Sequence, residues 1–99
     1  MHARSGAFRL SKDRMDDAIQ TFREEQLPQY QKKNGYKGFT VLANHETGQV
    51  LGISFWESED DLHEADELGQ QAREQLQERG QGQDDIERVD WEVLLDDMK

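Results

Sequence analysis

The sequence predicts an α+β domain in which a four-stranded antiparallel sheet carries two helices, in the order β-α-β-β-α-β. A hairpin occupies the centre of the chain. Residues 36–43 and 49–56 are two runs rich in β-branched, aromatic and aliphatic side chains, separated by a polar turn ending in Gly48. A stretch with apolar residues at helical spacing lies on each side of this hairpin, and a short strand lies beyond each helix.

The first half of the chain is predicted to form a strand over residues 3–10 and a helix over residues 11–33. Proline lacks an N–H group and crowds the carbonyl four residues earlier, so Pro28 predicts a kink near Glu24–Leu27. Gly35 is suited to end the helix in a left-handed conformation. The predicted apolar stripe of this helix comprises Met15, Ala18, Ile19, Phe22, Leu27 and Tyr30.

The second helix is predicted to run without a break from Ser58, its N-cap, to Gly80. Three acidic residues follow the cap, where the helix dipole favours negative charge. The last strand is predicted over residues 86–95. Right-handed connections then place both helices on one face of the sheet, which is the ferredoxin-like arrangement. The apolar stripe of the second helix comprises Leu62, Ala65, Leu68, Ala72 and Leu76.

Composition restricts the classes of function. The 99 residues are expected to form a single domain, residues 1–99, and the chain has no cysteine, which excludes disulfides and cysteine-ligated zinc. The net charge of −10 argues against nucleic-acid and anionic-membrane partners. Such acidity is explained by solubility or by a high-salt habitat. With no signal-peptide pattern and no membrane-spanning run, we expect a cytoplasmic protein.

The sheet is predicted to be apolar on both faces, although two helices can cover only one. The third strand offers Leu51, Ile53 and Phe55 on one side, and Val50 and Trp56 on the other. Exposing such a row forfeits roughly 1.5–3 kcal/mol per side chain relative to burial. We therefore expect a homodimer that pairs through its sheet faces. The alternative is a monomer with an apolar ligand groove on that face.

Several motifs resemble those of the antibiotic biosynthesis monooxygenases, a family of dimeric α+β barrel proteins. They are Leu27-Pro28, the run Gly35-Tyr36-Lys37-Gly38-Phe39, and the run from Gly52 through Trp56-Glu57-Ser58 to Leu62. The resemblance spans residues 3–95. It implies a ferredoxin-like dimer and a cofactor-independent monooxygenase that acts on an aromatic or polycyclic substrate, with no cofactor and no metal. The alternative is a non-catalytic dimeric barrel that binds a ligand or only associates.

Five residues are candidates for lining a ligand pocket: Trp56, His63, Phe22, Tyr36 and Trp91. Trp56 can stack on a flat aromatic ligand, although a tryptophan in the core or at the dimer interface would give the same pattern. His63 shares a helix side with Asp66 and Glu67, which suits either acid/base chemistry or a solvated polar face. No catalytic residue can be assigned from the sequence.

Haem degradation, another activity of this family, is disfavoured by the residues present. By rough alignment, the positions at which the haem-degrading branch carries Asn, Trp and His fall near Gly6, Ala65 and Gln75. The sequence also lacks a glycine-rich phosphate loop and a nucleophile elbow.

Overall fold

The computed structural model describes residues 1–78 and 87–97. Four strands form one antiparallel sheet in the order β2-β3-β1-β4, and the helices pack on one of its faces. The predicted ferredoxin-like fold is thereby confirmed. Among the described helices, none is both long enough and apolar enough to cross a membrane. The elements are β1 (His2–Arg9), α1 (Lys12–Thr21), a π-helical turn (Phe22–Gln26), α2 (Leu27–Gln31), β2 (Tyr36–Asn44), β3 (Gln49–Trp56), α3 (Glu59–Glu64), α4 (Asp66–Glu78) and β4 (Glu87–Glu92).

The core between sheet and helices consists of two clusters that correspond to the two ends of the sheet. One contains Leu10, Met15, Ala18 and Val50, and it fixes α1 to β3. The other contains Tyr30, Trp56, Leu62, Ala65 and Leu68, and it joins α2, β3 and the α3–α4 segment. The largest buried side chain is Trp56, which closes β3 at the second cluster.

The first helical segment is interrupted where Pro28 predicted an irregularity. The interruption takes the form of a π-helical turn, in which the Leu27 N–H donates to the Phe22 carbonyl five residues earlier. Pro28 follows at once and cannot donate to the Glu24 carbonyl, so the wider turn falls where an α-helical hydrogen bond is unavailable. The segment ends at Gly35, whose φ of 77° is left-handed as expected.

The second helical segment differs from the single helix that the sequence predicted. Ser58 is the N-cap, as expected, and its Oγ accepts a hydrogen bond from the Asp61 N–H at 3.2 Å. The helix then breaks at Ala65, whose φ of −90° and ψ of 3° lie outside the helical region. Periodicity could not reveal this break, because Ala65 is buried at the break and Leu62 and Leu68 are buried on either side of it. The side chains of Ala72 and Leu76, and residues 79–86, lie outside the described part of the chain.

The last strand is shorter than predicted. β4 ends at Glu92, whereas the alternating pattern had extended the strand to Leu95. The Val93 N–H still donates to the Met1 carbonyl at 2.9 Å, after which the chain leaves the sheet. Leu94 and Leu95 are each 87% exposed, because the strand ends before they can pack against it.

The sheet face opposite the helices, here called the open face, is apolar as predicted. Strand register places Leu51, Ile53 and Phe55 of β3 opposite Ala7, Ser5 and Ala3 of β1. Val89 and Trp91 of β4, and Leu42 of β2, continue the same face. Leu42 is 52% and Trp91 is 54% exposed, so the single chain leaves this surface uncovered.

Tyr36 lies on the helix side of the sheet, whereas strict alternation along β2 would place it on the same face as Leu42. A register irregularity between Tyr36 and Gly38 places Tyr36 opposite Trp56. A bulge of this kind reverses the alternation of side chains beyond it, and alternation alone cannot show it.

Gly48 provides a test of this fold. Its φ is 80°, and an added Cβ would lie 2.5 Å from the backbone oxygen of Leu10. The N–H of Leu10 donates to the Gly48 carbonyl at 2.8 Å, so the backbones cannot separate without losing this bond. Gly48→Ala should therefore lower the free energy of unfolding by about 2 kcal/mol or more, measured by urea denaturation.

Gly69→Ala is the matched control, since the nearest atom to its added Cβ would be the Tyr30 Oη at 3.8 Å. This helical substitution should leave stability unchanged or raise it slightly. Equal destabilisation by both substitutions would contradict the described turn.

Candidate functional site

Five aromatic side chains converge between the sheet and the helices, and we call them the aromatic cluster: Phe22, Tyr30, Tyr36, Phe39 and Trp56. The ring centres of Phe22 and Phe39 are 4.8 Å apart, and those of Tyr30 and Phe39 are 5.3 Å apart. Trp56 adjoins Tyr30 at 6.2 Å and Tyr36 at 5.8 Å. These separations and tilted planes are typical of favourable aromatic packing, so the cluster forms a continuous apolar wall.

The π-helical turn aligns two members of this wall. Phe22 and Tyr30 are eight residues apart, which is about 2.2 turns of a regular α-helix and would leave them about 80° apart around the helix axis. The wider π-helical turn over Phe22–Gln26 removes this angular offset, and the two ring centres lie 5.9 Å apart. Helix irregularities of this type are frequent at functional sites.

Trp56 is held in one orientation by its own strand. Its indole Nε1 donates to the Ser54 Oγ at 2.8 Å, and the side chain is 1% exposed. Ser54 faces the same side because strand residues two apart share a face. The indole N–H is thus satisfied inside the protein, and the ring contributes an apolar surface.

Beside the aromatic cluster lies a group of charged residues, here called the ionic cluster: Arg4, Asp66, Arg88 and Asp90. Arg4 pairs with Asp90 across the β1–β4 register, with Nε at 2.6 Å and Nη2 at 3.1 Å from its two carboxylate oxygens. Arg4 also contacts Asp66 at the start of α4, and Arg88 lies 3.7 Å from the same carboxylate. The ionic cluster therefore ties the helix layer to two strands.

Arg4 keeps its charge although its side chain is only 12% exposed. Burial opposes the charge, but hydrogen bonds to Asp90 and Asp66 outweigh burial and raise the pKa of Arg4. The same hydrogen bond from Arg4 holds the pKa of Asp90 below its usual value. A permanently cationic group thus lies close to an apolar wall, held there by two carboxylates.

Tyr30 joins the two clusters. Burial raises the pKa of its phenol to about 12, although the positive charges of Arg4 and Arg88 act in the opposite direction. The phenol is therefore neutral at physiological pH and can donate a hydrogen bond. Across from it, Gly69 of α4 has no side chain to crowd the Tyr30 Oη. An aromatic wall, a neutral donor and a cation together suit a flat ligand that carries an acidic oxygen.

The structure brings together three of the five predicted pocket residues, namely Phe22, Tyr36 and Trp56, in the aromatic cluster. His63 is exposed on α3, with Nε2 3.5 Å from Glu59 and Nδ1 4.0 Å from Asp66. Trp91 lies on the open face, where its Nε1 donates to the Ser5 Oγ at 2.9 Å. Trp91 thus lies on the opposite face of the sheet from the aromatic cluster.

Arg4 is the site residue that the sequence analysis missed. The signal was its alternation with Gly6 and Phe8 on β1, which puts a charge on the helix side of the sheet. Tyr30 lies on the predicted apolar stripe of the first helix, and its hydroxyl, like that of Tyr36, is a donor that the sequence offers to a ligand carbonyl. Within residues 1–78 and 87–97, no group of three or more His, Cys, Asp or Glu side chains could hold a metal ion.

Comparison with known proteins agrees with the fold described above. No protein-family model matches the sequence, and no curated protein matches it. Several solved structures do match the fold of this chain. A monooxygenase from the ActVA-Orf6 gene of Streptomyces coelicolor, in complex with nanaomycin D, superposes with a TM-score of 0.80 at 15% identity, covering 99% of this chain and 91% of that chain.

Two further structures give the same picture. A protein from Nitrosomonas europaea, assigned to the antibiotic biosynthesis monooxygenases, has a TM-score of 0.74 at 11% identity, covering 94% of this chain and 89% of that chain. The chain has the fold of the antibiotic biosynthesis monooxygenases. A dimeric ferredoxin-like protein from an uncultured marine organism has a TM-score of 0.73 at 10% identity, covering 99% of this chain and 91% of that chain. The resemblance predicted from the sequence is thus confirmed for the fold, which does not itself determine function.

Tyr30 gives a pH-dependent prediction for this site. Its pKa is about 12 in the folded protein against an ordinary value of 10.0, so the folded state binds more protons between these pH values. This contribution to stability is complete below pH 10 and is lost as the pH rises toward 12, by roughly 2 kcal/mol. Absorbance titration at the tyrosinate band should show one phenol ionising near pH 12.

Tyr30→Phe should remove that high-pH transition, whereas Tyr36→Phe should leave it in place. The control is informative because burial also raises the pKa of Tyr36, which is more exposed than Tyr30. Ionisation of both phenols near pH 10 in the folded protein would contradict the buried position of Tyr30.

Proposed function

We propose that this protein binds a flat aromatic ligand with an acidic hydroxyl or keto group between its sheet and its helices, and oxidises it as a cofactor-independent monooxygenase. The observation that carries the proposal is the position of Tyr30, which connects the aromatic cluster to the ionic cluster. The Streptomyces coelicolor neighbour was solved with nanaomycin D, which supports a polycyclic ligand for this fold.

The proposed reaction draws from the substrate all the electrons that reduce dioxygen, so it needs no separate reductant. An activated ring CH₂ group loses a proton, and the resulting carbanion reduces dioxygen and forms a C–O bond. The hydroperoxide then loses water and leaves a ketone, so that CH₂ plus O₂ gives C=O plus H₂O. The protein contributes a dry apolar site and groups that stabilise the negative charge of the carbanion.

Arg4 and Tyr30 are the groups we assign to that stabilisation. Arg4 is buried and cationic, and the neutral phenol of Tyr30 can donate a hydrogen bond to a ligand oxygen. The Asp66 carboxylate is 49% exposed, unlike Arg4. A ligand oxygen can therefore replace Asp66 beside Arg4 while Asp90 keeps its two hydrogen bonds to the guanidinium.

The experiment uses 1,8-dihydroxyanthrone, which has an acidic CH₂ group, as the substrate probe. Wild-type protein should quench its tryptophan fluorescence on binding, consume one O₂ per anthrone oxidised and form the corresponding quinone. Tyr30→Phe and Arg4→Met should each reduce kcat/KM by about 10- to 100-fold, as expected for the loss of one stabilising donor.

His45→Gln is the matched control. His45 is exposed in the hairpin turn, 3.9 Å from Asp16, and lies outside both clusters. Its activity should equal that of the wild type. If Arg4→Met and Tyr30→Phe folded normally and oxidised the anthrone at the wild-type rate, the proposed site would be wrong.

A non-catalytic role is the second candidate, and one observation favours it. Trp56 is 1% exposed and its N–H is already bonded to Ser54, so the ring is fully packed in the absence of ligand. Binding of the anthrone without oxygen consumption above the uncatalysed rate would assign the protein to this class.

We also propose that the protein acts as a homodimer paired through the open face. Leu42, Val89 and Trp91 are exposed there beside the partly buried row of Leu51, Ile53 and Phe55. Covering them recovers roughly 25 cal/mol for each Å² of apolar surface removed from water. The net charge of −10 opposes association, so the apolar contact must outweigh repulsion between like chains.

Ile53→Lys tests the dimer, because it places a charge at the middle of the open face. Sedimentation should show wild-type protein at twice the 11.6 kDa mass of the chain and the variant at the mass of a single chain. Gln31→Lys makes the same change in charge on the exposed surface of α2 and should remain dimeric. A wild-type monomer at micromolar concentration would contradict the proposal.

A further inference from the structure

We infer that the C-terminal tail of one chain, residues 93–97, docks in a groove on the open face of a second copy. The inference rests on the proposed dimer and adds to it a defined contact. Both partners in this contact, a tail that begins with apolar residues and a groove with an apolar patch, are present in every chain at opposite ends of the sheet.

The tail is apolar where it leaves the sheet. Val93 is the last residue bonded to β1, through the Met1 carbonyl, and Leu94 and Leu95 follow it with 87% of their surfaces exposed. Two adjacent leucines exposed to this extent forfeit a few kcal/mol relative to burial. Asp96 and Asp97 follow directly.

The groove lies at the other end of the open face, beside the hairpin turn. It has a volume of about 590 Å³, and its lining includes Ala7, Leu42 and Leu51. These three side chains are neighbours in register on the open face, Leu51 being paired with both of the others. Arg9, Asn44, Gln49 and Glu87 also line the groove, so it offers an apolar patch beside polar side chains and is large enough to accept two leucine side chains.

A chain cannot fill its own groove with its own leucines. Leu95 is two residues beyond Val93, a reach of roughly 7 Å for an extended chain. Val93 is bonded beside Met1, and Ala7 lies six residues further along β1, roughly 20 Å away. A two-fold pairing that sets one end of the sheet against the other end of its partner brings tail and groove together in both directions.

Charge favours the same orientation. Arg9 lines the groove, is exposed and makes no ion pair with any residue in ranges 1–78 and 87–97. The acidic end of the tail suits this exposed cation, whereas Glu87 at the β4 edge of the groove would repel it. The tail is therefore expected to enter with its acidic end toward Arg9.

Cross-linking tests the contact directly, because the natural chain has no cysteine. Leu95→Cys and Leu42→Cys proteins are mixed, allowed to exchange subunits and oxidised mildly. Mass spectrometry should then find the disulfide between the two variants. Leu95→Cys mixed with Gln31→Cys, on the exposed surface of α2, is the control and should give at least ten times less mixed disulfide.

The energetic test is Leu94→Ser with Leu95→Ser, which should raise the dimer dissociation constant at least 10-fold. Arg9→Asp should raise it too, and adding Asp96→Arg and Asp97→Arg should restore at least part of the affinity. An intact dimer with unchanged affinity and no cross-link would overturn the tail contact but would not contradict the proposed dimer. A wild-type monomer would overturn both.

Discussion

The packing of Trp56 against Tyr30 is the contact on which the rest of the site depends. Trp56 is supplied by the end of β3 and is fixed there by Ser54, while Tyr30 is supplied by α2. Leu62, Ala65 and Leu68 close the same core from the α3–α4 segment. Because β3, α2 and the α3–α4 segment all meet at these two rings, a displacement of either ring would disturb every element that surrounds the site.

Polarity around this contact is graded from one side to the other. The rings of Phe22 and Phe39 make one side wholly apolar, whereas the charges of Arg4 and Arg88 act on the Tyr30 phenol and partly oppose the rise in its pKa. Arg4 is only 12% exposed, so it requires carboxylates close by, and it obtains one from β4 and one from α4. These ion pairs offset the cost of placing the cation between the sheet and the helices.

Most of the architecture could be predicted because it follows from local patterns. The alternation of β3 and the polar turn before Gly48 determine the hairpin, and helical periodicity determines both helical segments. The parts that could not be predicted depend on contacts between elements. The bulge at Tyr36, the break at Ala65 and the burial of Arg4 each depend on residues distant in the sequence, and periodicity carries no information about those.

The π-helical turn has a consequence for how this protein can change in evolution. Such a turn is equivalent to an α-helix holding one surplus residue. Deleting a single residue between Phe22 and Gln26 would restore regular winding and leave Tyr30 on nearly the same side of the helix, because four α-helical residues turn the chain about as far as five π-helical residues. Tyr30 would still face Trp56. A deletion in the regular part of α1 would instead rotate everything beyond it by about 100° around the helix axis, so the π-helical turn is the place where this segment can lose a residue.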